Sequence, residues 1–235
     1  MENLRVQGSL DFFTNTQLGC SVPGLAEFYA NCEVTNGGAT SEVNGKKLRF
    51  DAKKLGEILG VLAVGFDMYV YEEKSVLGIA RLLELAQKLS KKTGLKTPQS
   101  VKKGDMSSVH QLLFWFIIKN VIPRGQGSNL ADAMDQCIID LLDRGEQINL
   151  SAIMIRHIAR IANTTREHDF GYGFLLTLIF EHFEVVLQKK MGVQMVDEIG
   201  SSILMGCDFT LVRASKLLLK GTKYTLSPYS WYFIK

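Results

Sequence analysis

Residues 149–187 open with Asn149-Leu-Ser-Ala-Ile-Met-Ile-Arg-His-Ile158. After a polar break they resume with Gly171-Tyr172-Gly173-Phe174-Leu175-Leu176-Thr177 and then Ile179-Phe180-Glu181-His182-Phe183. Apolar residues recur every three to four positions, so the spacing predicts two amphipathic helices, over about 150–162 and 172–188. Working upstream, Leu130, Ala133, Met134, Cys137, Ile138 and Leu141 repeat at helical spacing, and Gly145 stands where a helix-closing glycine belongs. This predicts a helix over about 129–143. The most apolar run, Leu112 to Ile118, predicts a helix over 107–120 that stops before Pro123 and is buried on most sides.

Nearer the N-terminus the pattern changes. Asn44-Gly45 lies between Val43 and Leu48-Arg49-Phe50, which predicts a hairpin with a type I′ turn. Leu48 and Phe50 would share one face, with Lys47 and Arg49 on the other. A short helix is expected over 25–31. Asp51 is placed to cap a helix over 52–59. Another helix is expected over 78–91, with Glu84 and Lys88 as an i,i+4 pair. Met205, Cys207, Phe209 and Leu211 alternate like a strand. The fold expected is α+β and mainly α, a helical bundle with a small N-terminal β-hairpin element.

Residues 88–103 hold six lysines and no acid, with Gly94 and Pro98 inside. This suggests a division into a loosely ordered N-terminus (1–24), an α+β part (25–92), a basic linker (93–105), a helical part (106–208) and a basic aromatic tail (209–235).

Composition narrows the function. Of 235 residues 46% are hydrophobic and 22% charged, so a core forms without a metal or disulfide staple. A net charge of +3 is too small to demand a nucleic-acid partner. Cys20, Cys32, Cys137 and Cys207 are widely spaced, which predicts a reduced, intracellular protein of cytoplasm or nucleus. The N-terminus lacks the apolar core of a signal peptide, and no run approaches the ~20 residues of a transmembrane helix.

The chain spells out no catalytic or cofactor motif. Gly125-Gln-Gly127-Ser128 lacks the lysine of a phosphate-binding loop and reads as a turn and cap. No nucleophile elbow or His-Glu-x-x-His is present. His157 and His182 fall on apolar stripes of successive helices and are expected to be structural, with no bound metal, since two ligands are too few for zinc. A transposase or integrase needs carboxylates that hold two divalent ions. Asp132, Asp135, Asp140, Asp143 and Glu146 are plentiful, but helical spacing puts them mostly on the solvent side, opposite Leu130 and Ile138.

Two basic segments point toward nucleic acid. Lys91, Lys92, Lys102 and Lys103 form one. Arg213, Lys216, Lys220 and Lys223, followed by Tyr224, Tyr229, Trp231, Tyr232 and Phe233, form the other. Basic residues interleaved with aromatics hold phosphates and stack on bases. Without a recognition-helix or zinc-finger pattern, such contacts would be weak and non-specific.

Several phrases in succession carry a family likeness. These are Glu27-Phe28-Tyr29-Ala30-Asn31, Val43 to Asp51, Leu55 to Val61, Ile122-Pro123-Arg124, Ala131-Asp132-Ala133-Met134, Ile148-Asn149-Leu150, and Tyr172 to Thr177 before Phe180-Glu181-His182-Phe183. Over residues 25–205 the chain resembles the "putative plant transposon protein" domain family, which is plant retroelement-associated and also known as envelope-like. The resemblance implies an origin in a mobile element and supplies no catalytic residues. The expected function is therefore non-enzymatic, through protein or non-specific nucleic-acid contacts. An enzyme of DNA transposition or integration is the alternative, and an envelope-like, membrane-interacting protein the second.

Overall fold

A computed structural model describes residues 20–35, 37–67, 78–124, 129–163, 171–186, 192–193, 207, 209–211 and 217–219. A short strand, β1 (Cys20–Ser21), leads into helix α1 (Val22–Ala30). The Ser21 hydroxyl accepts from the Gly24 amide, and Pro23 sits in the first turn, where no amide donor is needed. These signals start the helix upstream of its first apolar repeat, at Val22 rather than residue 25.

Strands β2 (Glu33–Thr35), β3 (Gly38–Val43) and β4 (Lys46–Asp51) form an antiparallel sheet in that order. Asn44 (φ 48°) and Gly45 (φ 73°) both adopt the left-handed backbone of the expected type I′ turn. Val43, Leu48 and Phe50 are buried, whereas Lys47 and Arg49 are exposed, as the alternation predicts. Phe28 of α1 lies between Phe50 and Phe180, with ring centroids 6.4 and 6.0 Å away.

Asp51 caps α2 (Ala52–Leu59), accepting from the Lys54 amide at 2.8 Å. Helix α3 (Ile79–Ser90) follows. Strand β5 (Val101–Lys102) leads through a 3-10 turn to α4 (Ser108–Phe116), capped by Ser107. At Ile117–Val121 the helix widens into a π-turn, with the Ile122 amide donating to the Ile117 carbonyl at 2.8 Å. From residue 111 to 121 only Lys119 is exposed. The apolar run is the buried helix that its composition predicts.

Strand β6 (Leu130–Ala131) pairs with β5 and precedes α5 (Ala133–Arg144). The helix starts later than the expected residue 129. Asp132 and Asp135 form a reciprocal capping box that sets the start, and strand pairing takes Leu130, which is 47% exposed. Helix α6 (Leu150–Ala162), capped by Asn149, matches its expected span.

Helix α7 (Gly173–His182) is shorter than expected. Glu184 turns left-handed (φ 54°), and the amides of Glu184 and Val185 close on the carbonyls of Glu181 and Phe180. This is a Schellman closure without the usual glycine, and it ends the helix short of the expected residue 188. His182, assigned above to an apolar stripe, is exposed in this final turn. Strand β7 (Gly192–Val193) pairs with β1, and β8 (Phe209–Leu211) with β9 (Leu217–Leu219).

Buried side chains from the sheet and from α1 to α7 belong to one apolar cluster. Helix α3 packs on α5, α2 on α6, and α7 on α2. The architecture is α+β and mainly α, with the small sheet near the N-terminus. No described helix is long and apolar enough to cross a membrane.

Candidate functional site

Of the acids that helical spacing puts toward solvent, Asp132 and Glu146 are exposed and Asp143 is half-buried, but Asp135 and Asp140 are buried. Asp135 is 0% and Asp140 3% exposed. Asp140 is met by helix α3, whose basic residues come to α5 from more than 50 positions upstream. Asp140 accepts from Arg81 at 2.6 Å, Lys88 at 2.7 Å and Arg144 at 3.1 Å. Burial alone would raise the Asp140 carboxyl, but Lys88, Arg81 and Arg144 outweigh it and hold it below the ordinary range. Asp143 takes Lys88 at 3.3 Å and His110 at 2.8 Å. Lys88 therefore serves α5, while Glu84, its expected partner, pairs with Arg81 at 2.8 Å.

A second cluster gathers behind the π-turn. Arg124 pairs with Asp132 at 2.9 Å and also with Asp135. Burial, reinforced by the charge of Asp132 and countered by Arg124, pushes the Asp135 carboxyl up to about 6. One Asp135 oxygen is buried without a partner. The Tyr172 hydroxyl donates to the Val121 carbonyl at 2.5 Å, and Tyr172 itself is left-handed (φ 64°). His157 Nε2 lies 2.9 Å from the Pro123 carbonyl, and its ring meets Tyr172 edge-on at 5.8 Å. The phrases Ile122-Pro123-Arg124, Ala131-Asp132 and Tyr172-Gly173, distant in sequence, thus meet at one place.

The Pro123 carbonyl only accepts, so Nε2 carries a proton, and the buried Nδ1 has no partner. Burial is the main cause that lowers its pKa, aided by Arg160 and Arg124 and opposed by the Pro123 carbonyl. A depressed folded value means that the unfolded chain binds the proton more readily. The contribution of His157 is complete above its unfolded value of 6.5 and is lost as pH falls through the lower folded value. His157→Gln keeps a donor for Pro123 and removes the titration. Thermal unfolding between pH 7.5 and 5 should show the variant losing less stability than the parent. Parallel pH profiles would remove this role from His157. Asp135 acts in the opposite sense: raised above its ordinary value of 3.8, it favours the fold below that value, an effect lost as pH rises through about 6.

Among the described residues no three His, Cys, Asp or Glu side chains converge so as to hold a metal ion. Burial pushes the thiols of Cys32 and Cys137 up to about 11, so neither is a thiolate near neutrality. An open groove of about 600 Å³ lies over the sheet, lined by Thr35, Thr40, Arg49, Asp51 and Lys54 among others. Asp51 there is already engaged as the cap of α2.

Of the residues expected to meet nucleic acid, Lys91, Lys92 and Lys102 are exposed and Lys103 is half-buried. Lys91 closes α3 in left-handed backbone (φ 56°). Lys92 reaches Asp105 at 2.5 Å, which brings the end of α3 beside the turn that follows β5. Arg213, Lys216, Lys220 and Lys223 lie outside the described residues, as does the glycine turn at 125–128. Nothing in the sequence marks Arg81 or His110 as a partner of the α5 acids, and Arg124 is marked only by lying inside a family phrase.

No curated protein and no solved structure matches the chain. Residues 8–186, more than half of the chain, match the family described as "Putative plant retrotransposon-related domain". The residues that meet behind the π-turn lie inside that span, and the chain belongs to this plant retrotransposon-related family.

Proposed function

We propose that this protein of mobile-element origin is not an enzyme and acts through surface contacts with protein or nucleic acid. One observation carries the reading. The two buried carboxylates among the described residues, Asp135 and Asp140, are held by Arg124 and by Arg81, Lys88 and Arg144. Two-metal phosphoryl transfer needs carboxylates free to bind cations. Here guanidinium and ammonium groups occupy that position, and the acids serve to join α3 to α5 and to set the start of α5.

The alternative, an enzyme of transposition or integration, is tested directly. The purified chain is incubated with supercoiled plasmid in Mg²⁺ or Mn²⁺. No nicking above buffer is expected. Metal-dependent nicking that disappears in Asp135→Asn or Asp140→Asn would overturn the reading and establish the enzyme.

A further inference from the structure

We infer that the surface where the end of α3 meets the turn after β5 is a pre-ordered docking site for the phosphodiester backbone of nucleic acid, with Lys91, Lys96, Lys102 and Lys103 as its contact residues. This rests on the contact-module reading above and names the partner and the place. Residues 91–105 carry five lysines against one acid, Asp105. The structure sorts the lysines of the wider segment in a way that their sequence order does not. Lys88 is held by Asp140 and Asp143, and Lys92 by Asp105. Among the described residues, Lys91, Lys96, Lys102 and Lys103 form no ion pair.

The Lys92–Asp105 pair draws residues 91 and 92 against the 3-10 turn Lys103–Asp105, so lysines 11 positions apart share one surface region. The backbone between them is anchored. Gln87 donates to the Leu95 carbonyl at 3.2 Å, and Leu95 packs on the core. Gln136 donates to the Gln99 carbonyl at 3.0 Å. Val101 is buried, so strand alternation turns Lys102 outward, and the Lys103 amide donates to the Asn129 carbonyl at 2.8 Å. Ammonium groups on an anchored backbone lose less freedom when they bind. Lysine meets phosphate as a point charge, so the site reads backbone and not base sequence.

The test is fluorescence anisotropy of the full chain with labelled 20-mer single-stranded and duplex DNA at several salt concentrations. The parent should bind with a steep salt dependence through counterion release. Lys91→Gln, Lys96→Gln, Lys102→Gln and Lys103→Gln together should weaken binding at low salt about tenfold or more. They should also flatten the salt slope by roughly one unit for each phosphate no longer neutralised. Lys96→Gln with Lys102→Gln, which leaves the α3 cap intact, should give about half the change in slope. Lys47→Gln, Arg49→Gln and Lys53→Gln, a comparable removal of charge elsewhere, should change little. No binding by the parent at tens of micromolar protein in low salt would overturn the site and leave the plasmid result, and with it the non-enzymatic reading, untouched. An equal weakening in the control variant would overturn it as well. So would an effect of the quadruple variant confined to phosphatidylserine vesicles, which would make the surface a membrane-binding one.

Discussion

Truncating Trp115 to alanine should lower the thermal midpoint by roughly 10 °C, the largest effect expected of any single substitution discussed. Trp115 lies on α4 within the stretch of nearly continuous burial and is itself only 9% exposed. Phe114, Phe116 and Ile117 beside it are buried almost completely. Removing a buried aromatic forfeits its transfer free energy and leaves a cavity, together about 3–5 kcal/mol. Each kcal/mol shifts the midpoint of a domain of this size by about 2–4 °C. Thermal unfolding followed by circular dichroism checks the value. A shift of only a degree or two would show that α4 is not central to the core.

Gly65→Ala should cost nearly as much, about 3 kcal/mol, although a single methyl is added. Residues 63–67 run against the start of α6. The Phe66 amide donates to the Gln147 carbonyl at 2.8 Å, the Phe66 carbonyl accepts from the Asn149 amide at 3.0 Å, and Asn149 Nδ2 donates to the Ala63 carbonyl. Gly65 has φ +110°, and a Cβ there would stand 2.4 Å from the Gln147 carbonyl oxygen. Backbone in this region costs a residue with a side chain about 1–3 kcal/mol before any clash. The obstacle is backbone and cannot rotate away, so this bridge must part. Gly104→Ala, which meets nothing within 4 Å, is the control and should change stability by less than about 0.5 kcal/mol. Urea unfolding of both variants checks the contrast. Equal midpoints would refute the close approach.

The elements legible in the sequence are those with local causes. Asn44-Gly45 between alternating residues determined the hairpin, and Asp51 and Asn149 determined where α2 and α6 begin, because turns and caps involve neighbours within a few positions. The apolar run at 112–118 determined its own burial, and the succession of family phrases determined the origin. The tertiary structure alone decided what depends on the path of the chain. Helical spacing cannot reveal that Arg81 and Lys88 will meet Asp140, so those acids read as solvated. The early end of α7 rests on a left-handed Glu184, which its sequence does not advertise. Nothing around Gly65 marks it as a neighbour of Gln147, 82 positions away. The lysines of 88–103 look alike in order, and only the placement of Asp105, Asp140 and Asp143 separates those that bind within the fold from those left facing outward. The physical reason is common to these cases. Propensity and capping act within a turn or two, whereas ion pairing, desolvation and steric exclusion act between atoms that only the folded chain brings together.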